Sequence, residues 1–323
     1  MKQHSASLLT HCGVWGIVAL VFIAGCNKAS HGADKGVQLS PSSTVTRNQT
    51  DTADKQAAGN PQRHRDLKDP GTAERKAPLV VSKWVGPIHS VDLDDPQQRS
   101  ASSDPLGFLK MCRERYDSTI RDYRCEFHRR ESFRSSEAKE EQRIAVKYRE
   151  KPYSVDMRWL SNADHATRVS YVAGRWERGG RDLALIEPKG VLGILTPGGV
   201  KLDIHGSEMR AASSRPIDQF GFKKTLDRII ANCELAAGDA RYDLRFLGIG
   251  ELDNRPCYVI ERRLPYSGGG GRFPDRLLVI YIDQEWLVPT GCFSYADDAA
   301  ELPLGTYVMT NLGLNVGLND SDF

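Results

Sequence analysis

From Tyr123 onward the chain is dominated by a two-residue period, and no other feature limits its fold as much. Tyr123, Cys125 and Phe127 alternate with Arg124, Glu126 and His128. After a charged turn, Ser135 to Glu141, the alternation returns with Ile144, Val146 and Tyr148. Lys151-Pro152 interrupts it, and Val155, Met157 and Trp159 follow, opposed by Asp156 and Arg158. Asn162 to His165 reads as a turn, after which Val169, Tyr171 and Ala173 mark another strand. A second block begins with Tyr242, Leu244 and Phe246 and turns at Asp253-Asn254-Arg255. It continues through Cys257 to Glu261, Leu277 to Ile282, Thr290 to Tyr295 and Thr306 to Leu312. Alternation of this kind places apolar side chains on one face and charges on the other. That is the pattern of antiparallel strands with one buried face.

Helical periods appear twice. Asp104-Pro105 supplies an N-cap and a first-turn proline, and Leu106, Leu109, Cys112 and Tyr116 recur at three- and four-residue steps to about Asp117. Phe222, Leu226, Ile229, Ile230 and Cys233 mark a second stripe, with Gly238 as its stop. Residues 188–220 follow no clear period. The order helix, strands, helix, strands predicts an α+β fold: a long curved antiparallel sheet of nine to eleven strands packed on two or three helices. A sheet this wide must curl, and with helices across its mouth it encloses either an apolar cavity or a filled core.

The N-terminal third is different. Residues 1–12 carry Lys2 and no acid, and Gly13 to Gly25 is uncharged and mostly apolar. Thirteen helical residues reach roughly 20 Å against a bilayer core of about 30 Å, so the segment reads as an export signal, not a span. Its end, Ile23-Ala24-Gly25-Cys26, resembles the bacterial lipobox. That resemblance implies cleavage before Cys26 and lipid attachment to its thiol, with 1–25 as the signal. Two or more acyl chains give stable membrane attachment. Asn27 is not an aspartate retention signal, which points to the outer rather than the inner membrane. Residues 26–100 are poor in large apolar side chains and read as a disordered polar tether. Within it an apolar island, Leu79 to Ile88, is either an unstructured patch or a short strand that docks on the domain or a partner. The folded domain is expected over 101–323.

Within that domain Lys and Arg number 32 against 33 Asp and Glu. A near-neutral domain offers no field for nucleic acid. Arg121, Arg124, Arg129, Arg130 and Arg134 nonetheless cluster, as a solvated strand face or as a surface for a headgroup or partner. Cys112, Cys125, Cys233, Cys257 and Cys292 remain once Cys12 leaves with the signal and Cys26 carries lipid. They are buried free thiols, or they form one or two bridges with at least one left over. Zinc-ligand spacing, HExxH, GxSxG and P-loop motifs are absent, and "SGGGGR" (Ser267 to Arg272) lacks a strand–loop–helix setting. No metal, cofactor or catalytic residue is therefore expected, and the reading is of a protein that is not an enzyme.

"YRCEFHRRE" (Tyr123 to Glu131), "VKYREKPYSVDMRWL" (Val146 to Leu160), "NRPCYVIE" (Asn254 to Glu261) and the C-terminal run from Tyr307 to Phe323 resemble the bacterial domain-of-unknown-function family 1571. That family is similar to the LolA/LolB lipoprotein-carrier superfamily. The resemblance covers about 101–323 and implies an incomplete, half β-barrel whose helices cover an apolar cavity for acyl chains. It transfers no catalytic residue. Candidate cavity-lining residues are Tyr123, Phe127, Val146, Tyr148, Val155, Met157, Trp159 and Tyr171; plain core packing is the alternative for each. The expected role is an envelope lipoprotein, anchored through Cys26 and facing the periplasm, that binds a lipid, an acylated peptide or another apolar ligand. The alternative is a structural or sensing lipoprotein with a filled interior and an envelope protein partner.

Overall fold

The computed structural model describes residues 82–132, 140–213 and 215–323. Cys26, the signal segment and Arg134 lie outside the described residues. Among those described, twelve strands form one antiparallel sheet. The first six are β1 (Asp122–Glu131), β2 (Gln142–Arg149), β3 (Ser154–Ser161), β4 (Ala166–Val172), β5 (Glu177–Arg178) and β6 (Arg181–Pro188). Then follow β7 (Val200–Asp203), β8 (Asp243–Leu252), β9 (Arg255–Arg263), β10 (Leu277–Asp283), β11 (Pro289–Tyr295) and β12 (Pro303–Leu314). The spatial order is β5-β6-β4-β3-β2-β1-β12-β11-β10-β9-β8, with β7 also on β6. The chain thus winds outward from β1, crosses to the far end, and winds back from β8 until β12 lies beside β1.

The helices are α1 (Pro96–Ser103), α2 (Pro105–Thr119), α3 (Val191–Leu195), α4 (Ser207–Ala212) and α5 (Phe222–Ala236). α2 starts where Asp104 accepts from the Gly107 amide at 2.8 Å. The same device opens α1, with Asp95 accepting from Gln97 and Gln98. α5 buries Phe222, Leu226, Ile229, Cys233 and Ala236, one stripe of its surface. α1, α2 and α5 pack on β8–β11 around Phe108, Leu109, Leu226, Ile260 and Ile280. A second cluster lines the same concave side of β1–β7.

Strand register explains which side chains share that side. Tyr123 faces Tyr148, Tyr148 faces Val155, and Val155 faces Tyr171. Residues directly opposite in an antiparallel pair point to one face, so these four form a ladder across β1–β4. Asp253 and Asn254, both with positive φ (51° and 60°), make the two-residue turn between β8 and β9.

Two expectations are corrected, and one that was left open is decided. The strands number twelve and the helices five among the described residues, because 188–220 holds β7 and two short helices that no period announced. The folded region begins before 101: α1 starts at Pro96, and residues 82–91 form a strap. Within the strap the amide of Gly86 donates to Glu251 O (3.0 Å), and His89 to Ile249 O (2.7 Å). The apolar island therefore docks, at least through Val85 and Ile88, which pack beside Val259, Val279 and Tyr281. Gly248, at φ +119°, allows this approach, since a Cβ there would meet His89 O at 2.0 Å. Finally, the five cysteines of the domain are all buried and unbridged. Burial pushes the thiols of Cys112 and Cys257 up to about 12.

Candidate functional site

The concave side of β1–β4 carries all eight candidate lining residues, because each occupies the inward position of its alternating strand. Six of them are buried: Tyr123, Phe127, Val146, Tyr148, Val155 and Tyr171. Met157 and Trp159, at the far ends of the same ladder, are only partly buried. The site therefore has a closed floor and a more open mouth.

Aromatic packing closes the floor. Tyr123 stacks on Tyr148 at 4.6 Å between ring centroids and meets Phe222 at 4.7 Å. Tyr148 in turn meets Tyr153 edge-on at 5.4 Å. Gly221 lets α5 begin directly above this stack, since a Cβ there would come within 2.8 Å of the Tyr148 ring. The hydroxyls are tied down as well. Tyr116 and Tyr148 both donate to Glu150 Oε1 (2.6 and 2.9 Å), and Tyr153 donates to the carbonyls of Ile217 and Phe220 (2.9 Å each). Desolvation raises the phenols of Tyr116, Tyr148 and Tyr153 above their ordinary value, so all three stay neutral.

The mouth mixes apolar and cationic groups. Phe127 lies 5.4 Å from Phe220 and 6.3 Å from Tyr307. Gln142 Oε1 accepts from Arg129 Nη2 (2.7 Å) and from the Trp159 indole (3.2 Å). Tyr307 donates to Glu131 Oε1 (2.9 Å), and the Arg215 guanidinium lies 5.2 Å from its ring centre. The rim beyond is apolar and exposed. β6 ends at Pro188 beside Ala166, at the end of the sheet that also carries Trp159, so α3 sits on that rim. Its Val191, Ile194 and Leu195 are 71%, 79% and 65% exposed. Leu302, 60% exposed, precedes β12 at the same end, where Glu131 pairs with Gly305.

Arginine clustering on β1 does not survive folding as one patch. Arg129 turns into the mouth, as its position opposite Tyr307 requires. Arg124 takes the other face and pairs with Asp322 at 3.1 Å. Arg121 is exposed beside Asn315, whose Oδ1 accepts from its amide, and Arg130 is exposed on the same face as Arg124. Alternation splits any run of charges on a strand between two faces.

Two arginines, one buried and one half-buried, were not foreseen. Arg262, on β9, is 1% exposed and donates to Asp275 Oδ1 at 2.6 Å. Arg228 projects from the flank of α5, where a stripe reading assigns the solvent side. Burial, reinforced by Arg215 and Arg262, lowers its guanidinium to about 10. Cys292 lies among them: burial pushes its thiol up to about 11, while Arg215, Arg228 and Arg262 pull the other way. The only sequence signal was Glu261-Arg262-Arg263 closing an apolar strand, where charges on both faces mark burial that ion pairs must offset. Among the described residues no group of three or more His, Cys, Asp or Glu is placed to hold a metal. No described helix is long and apolar enough to cross a membrane.

A wide antiparallel sheet, curved around an aromatic floor with helices across its concave side, defines an open half-barrel of the α+β class. Residues 120–323 match the family described as a protein of unknown function, DUF1571, and the chain belongs to that family. No curated protein sequence matches the chain. Among solved structures it is similar to a DUF1329 family protein from Desulfovibrio piger, with 16% identity over 68% of this chain and 97% of that one and a TM-score of 0.35. It is also similar to a LolA superfamily protein from Nitrosomonas europaea (12% identity, 67% and 96% covered, TM-score 0.27). A third is the Mycobacterium tuberculosis lipoprotein LppX (13%, 67% and 98%, TM-score 0.35).

Proposed function

We propose that this protein is an envelope lipoprotein, held on a membrane through Cys26, whose half-barrel accepts acyl chains of a lipid or of an acylated peptide at its mouth. The observation that carries this reading is the mouth itself. Met157 and Trp159 are only partly buried, whereas the other six candidate lining residues are buried. The rim beside them presents Val191, Ile194, Leu195 and Leu302 to solvent. Exposed apolar groups gathered at one end of a domain mark an interaction site more often than a surface in water. In this reading the floor is structural, and a ligand enters only the outer part of the concavity. The protein performs no chemistry on it and needs no cofactor.

Native mass spectrometry of the full-length protein, extracted in a mild detergent, tests the reading. The expected result is a co-purifying mass of one or two acyl chains, displaced by a fluorescent fatty acid. A bare mass together with no probe uptake would sink it. Anchoring is tested separately: Cys26→Ser should move the protein from the membrane to the soluble fraction.

The packed floor supports a second reading, a sensing or structural lipoprotein with a filled interior and a protein partner. Crosslinking in intact envelopes that recovers one stoichiometric partner through the α3 rim, with no lipid, would favour it.

A further inference from the structure

Strand register carries the concave side past Tyr307 into the second half of the sheet. Tyr307 faces Cys292, Cys292 faces Ile280, and Ile280 faces Ile260. Two residues nearer the rim, Gly305 faces Ser294, Ser294 faces Leu278, and Leu278 faces Arg262. Arg262 is thus an inward side chain just inside the rim, beneath α5.

The charges there do not balance. Asp275 accepts one bond from Arg262, through Nη2. Arg262 Nε, fully buried, has no partner among the described residues. Arg228 has no acceptor among the described residues either, and the charges that act on it are other arginines and two groups that stay neutral, Cys292 and Tyr307. Arg215 rests on the Tyr307 ring and pairs with no carboxylate among the described residues. Glu131 is already engaged by the Tyr307 hydroxyl. Arg228 is half-buried, so its guanidinium is partly withdrawn from water with no counter-charge beside it, which is unfavourable. An orphaned buried N–H adds about 1–3 kcal/mol. Both are relieved by one anion with oxygens directed at two donors, and Arg is suited to the planar, bidentate recognition of phosphate.

We propose that Arg228 and Arg262 Nε, with Arg215 at the entrance, bind the phosphate headgroup of an acyl lipid. The inference rests on the acyl-chain reading above and narrows its ligand to an anionic amphiphile. The arrangement suits such a molecule: the phosphate lies under α5 just inside the rim, while the chains run toward Met157, Trp159 and Met309. Asp275 holds Arg262 in place and orients its Nε inward.

The test uses the full-length protein in an uncharged detergent and three probes: dihexanoyl phosphatidic acid, dihexanoylglycerol and inorganic phosphate. Calorimetry should show phosphatidic acid binding about tenfold or more tighter than the neutral lipid, as expected for charge-assisted bonds. Arg228→Gln should bring the two lipids within about threefold by weakening phosphatidic acid alone, and it should not lower the unfolding temperature, because it removes an uncompensated charge. Arg215→Gln, at an exposed position, should weaken phosphatidic acid by about threefold and leave the fold untouched. Equal binding of neutral and anionic lipid overturns the headgroup site and leaves the acyl-chain reading standing. Binding of neither lipid overturns both. Inorganic phosphate bound as tightly as phosphatidic acid, and lost in Arg228→Gln, identifies a site for free anions and overturns the lipid assignment.

Discussion

The two halves of the sheet solve burial differently. In β2 and β3 buried and partly exposed positions alternate, with one face on the aromatic floor and the other charged and wet. In β10 and β11 every residue is buried. There the helices cover one face, and the other packs around Tyr281 and Phe293 beneath Trp84, Val85 and Ile88 of the strap. A strand covered on both faces needs apolar side chains throughout, or charges paired internally. β9 shows the second solution: Glu261 Oε1 accepts from Arg245 (2.9 Å) and Arg263 (2.8 Å) on one face, and Arg262 meets Asp275 on the other. The half that is open on one face carries the mouth; the doubly covered half acts as its rigid frame.

Substitutions can break this contrast. The largest effect is expected at the buried ion pair. Asp275→Asn leaves Arg262 charged in the interior and should lower stability by about 3–5 kcal/mol in urea unfolding. Next comes a matched pair of truncations. Ile280→Ala, in the doubly covered half, should cost about 2–5 kcal/mol, while Met157→Ala, at the open mouth, should cost about 1 kcal/mol or less. Equal losses at the two sites would show that the halves are packed alike. Below the core truncation comes Gly248→Ala, which sets a Cβ against the strap carbonyl of His89 at a positive φ. It should cost about 1–3 kcal/mol and make the strap a site of early proteolytic cleavage. If the strap stays protected, its contact with β8 is not what holds it.

Sequence reading succeeded where a single periodicity governed the outcome. Tyr123 through Tyr171 fell on the concave side because a period of two leaves no other choice once one face is wet. α2 and α5 followed from their stripes and from Asp104. α1 was equally marked, by Asp95-Pro96 repeating the Asp104-Pro105 signal, yet its run of Gln, Arg and Ser has no apolar stripe to notice. β7 and the short helices between 188 and 220 are too brief to establish a period. For the candidate site, the floor was legible and the arginines were not. Arg228 occupies a helix flank that reads as solvent-facing, and the packing of α5 against β11 leaves it half-buried. Which arginines of β1 share a surface was decided by alternation, which the clustering in sequence conceals.

β8 closes one end of the sheet, and its outer row of amides and carbonyls would otherwise stand unpaired. The strap takes that row: Val85 bridges Leu252, and His89 bridges Ile249. An unoccupied edge of this kind is a template for the strand of another chain. The family match begins at residue 120, beyond the strap, α1 and α2. A fragment cut to those bounds would therefore bare both the edge and the apolar underside of the frame, and its copies would pair through β8. In the whole chain the short stretch before the family's boundary occupies the edge that a neighbouring strand could otherwise take.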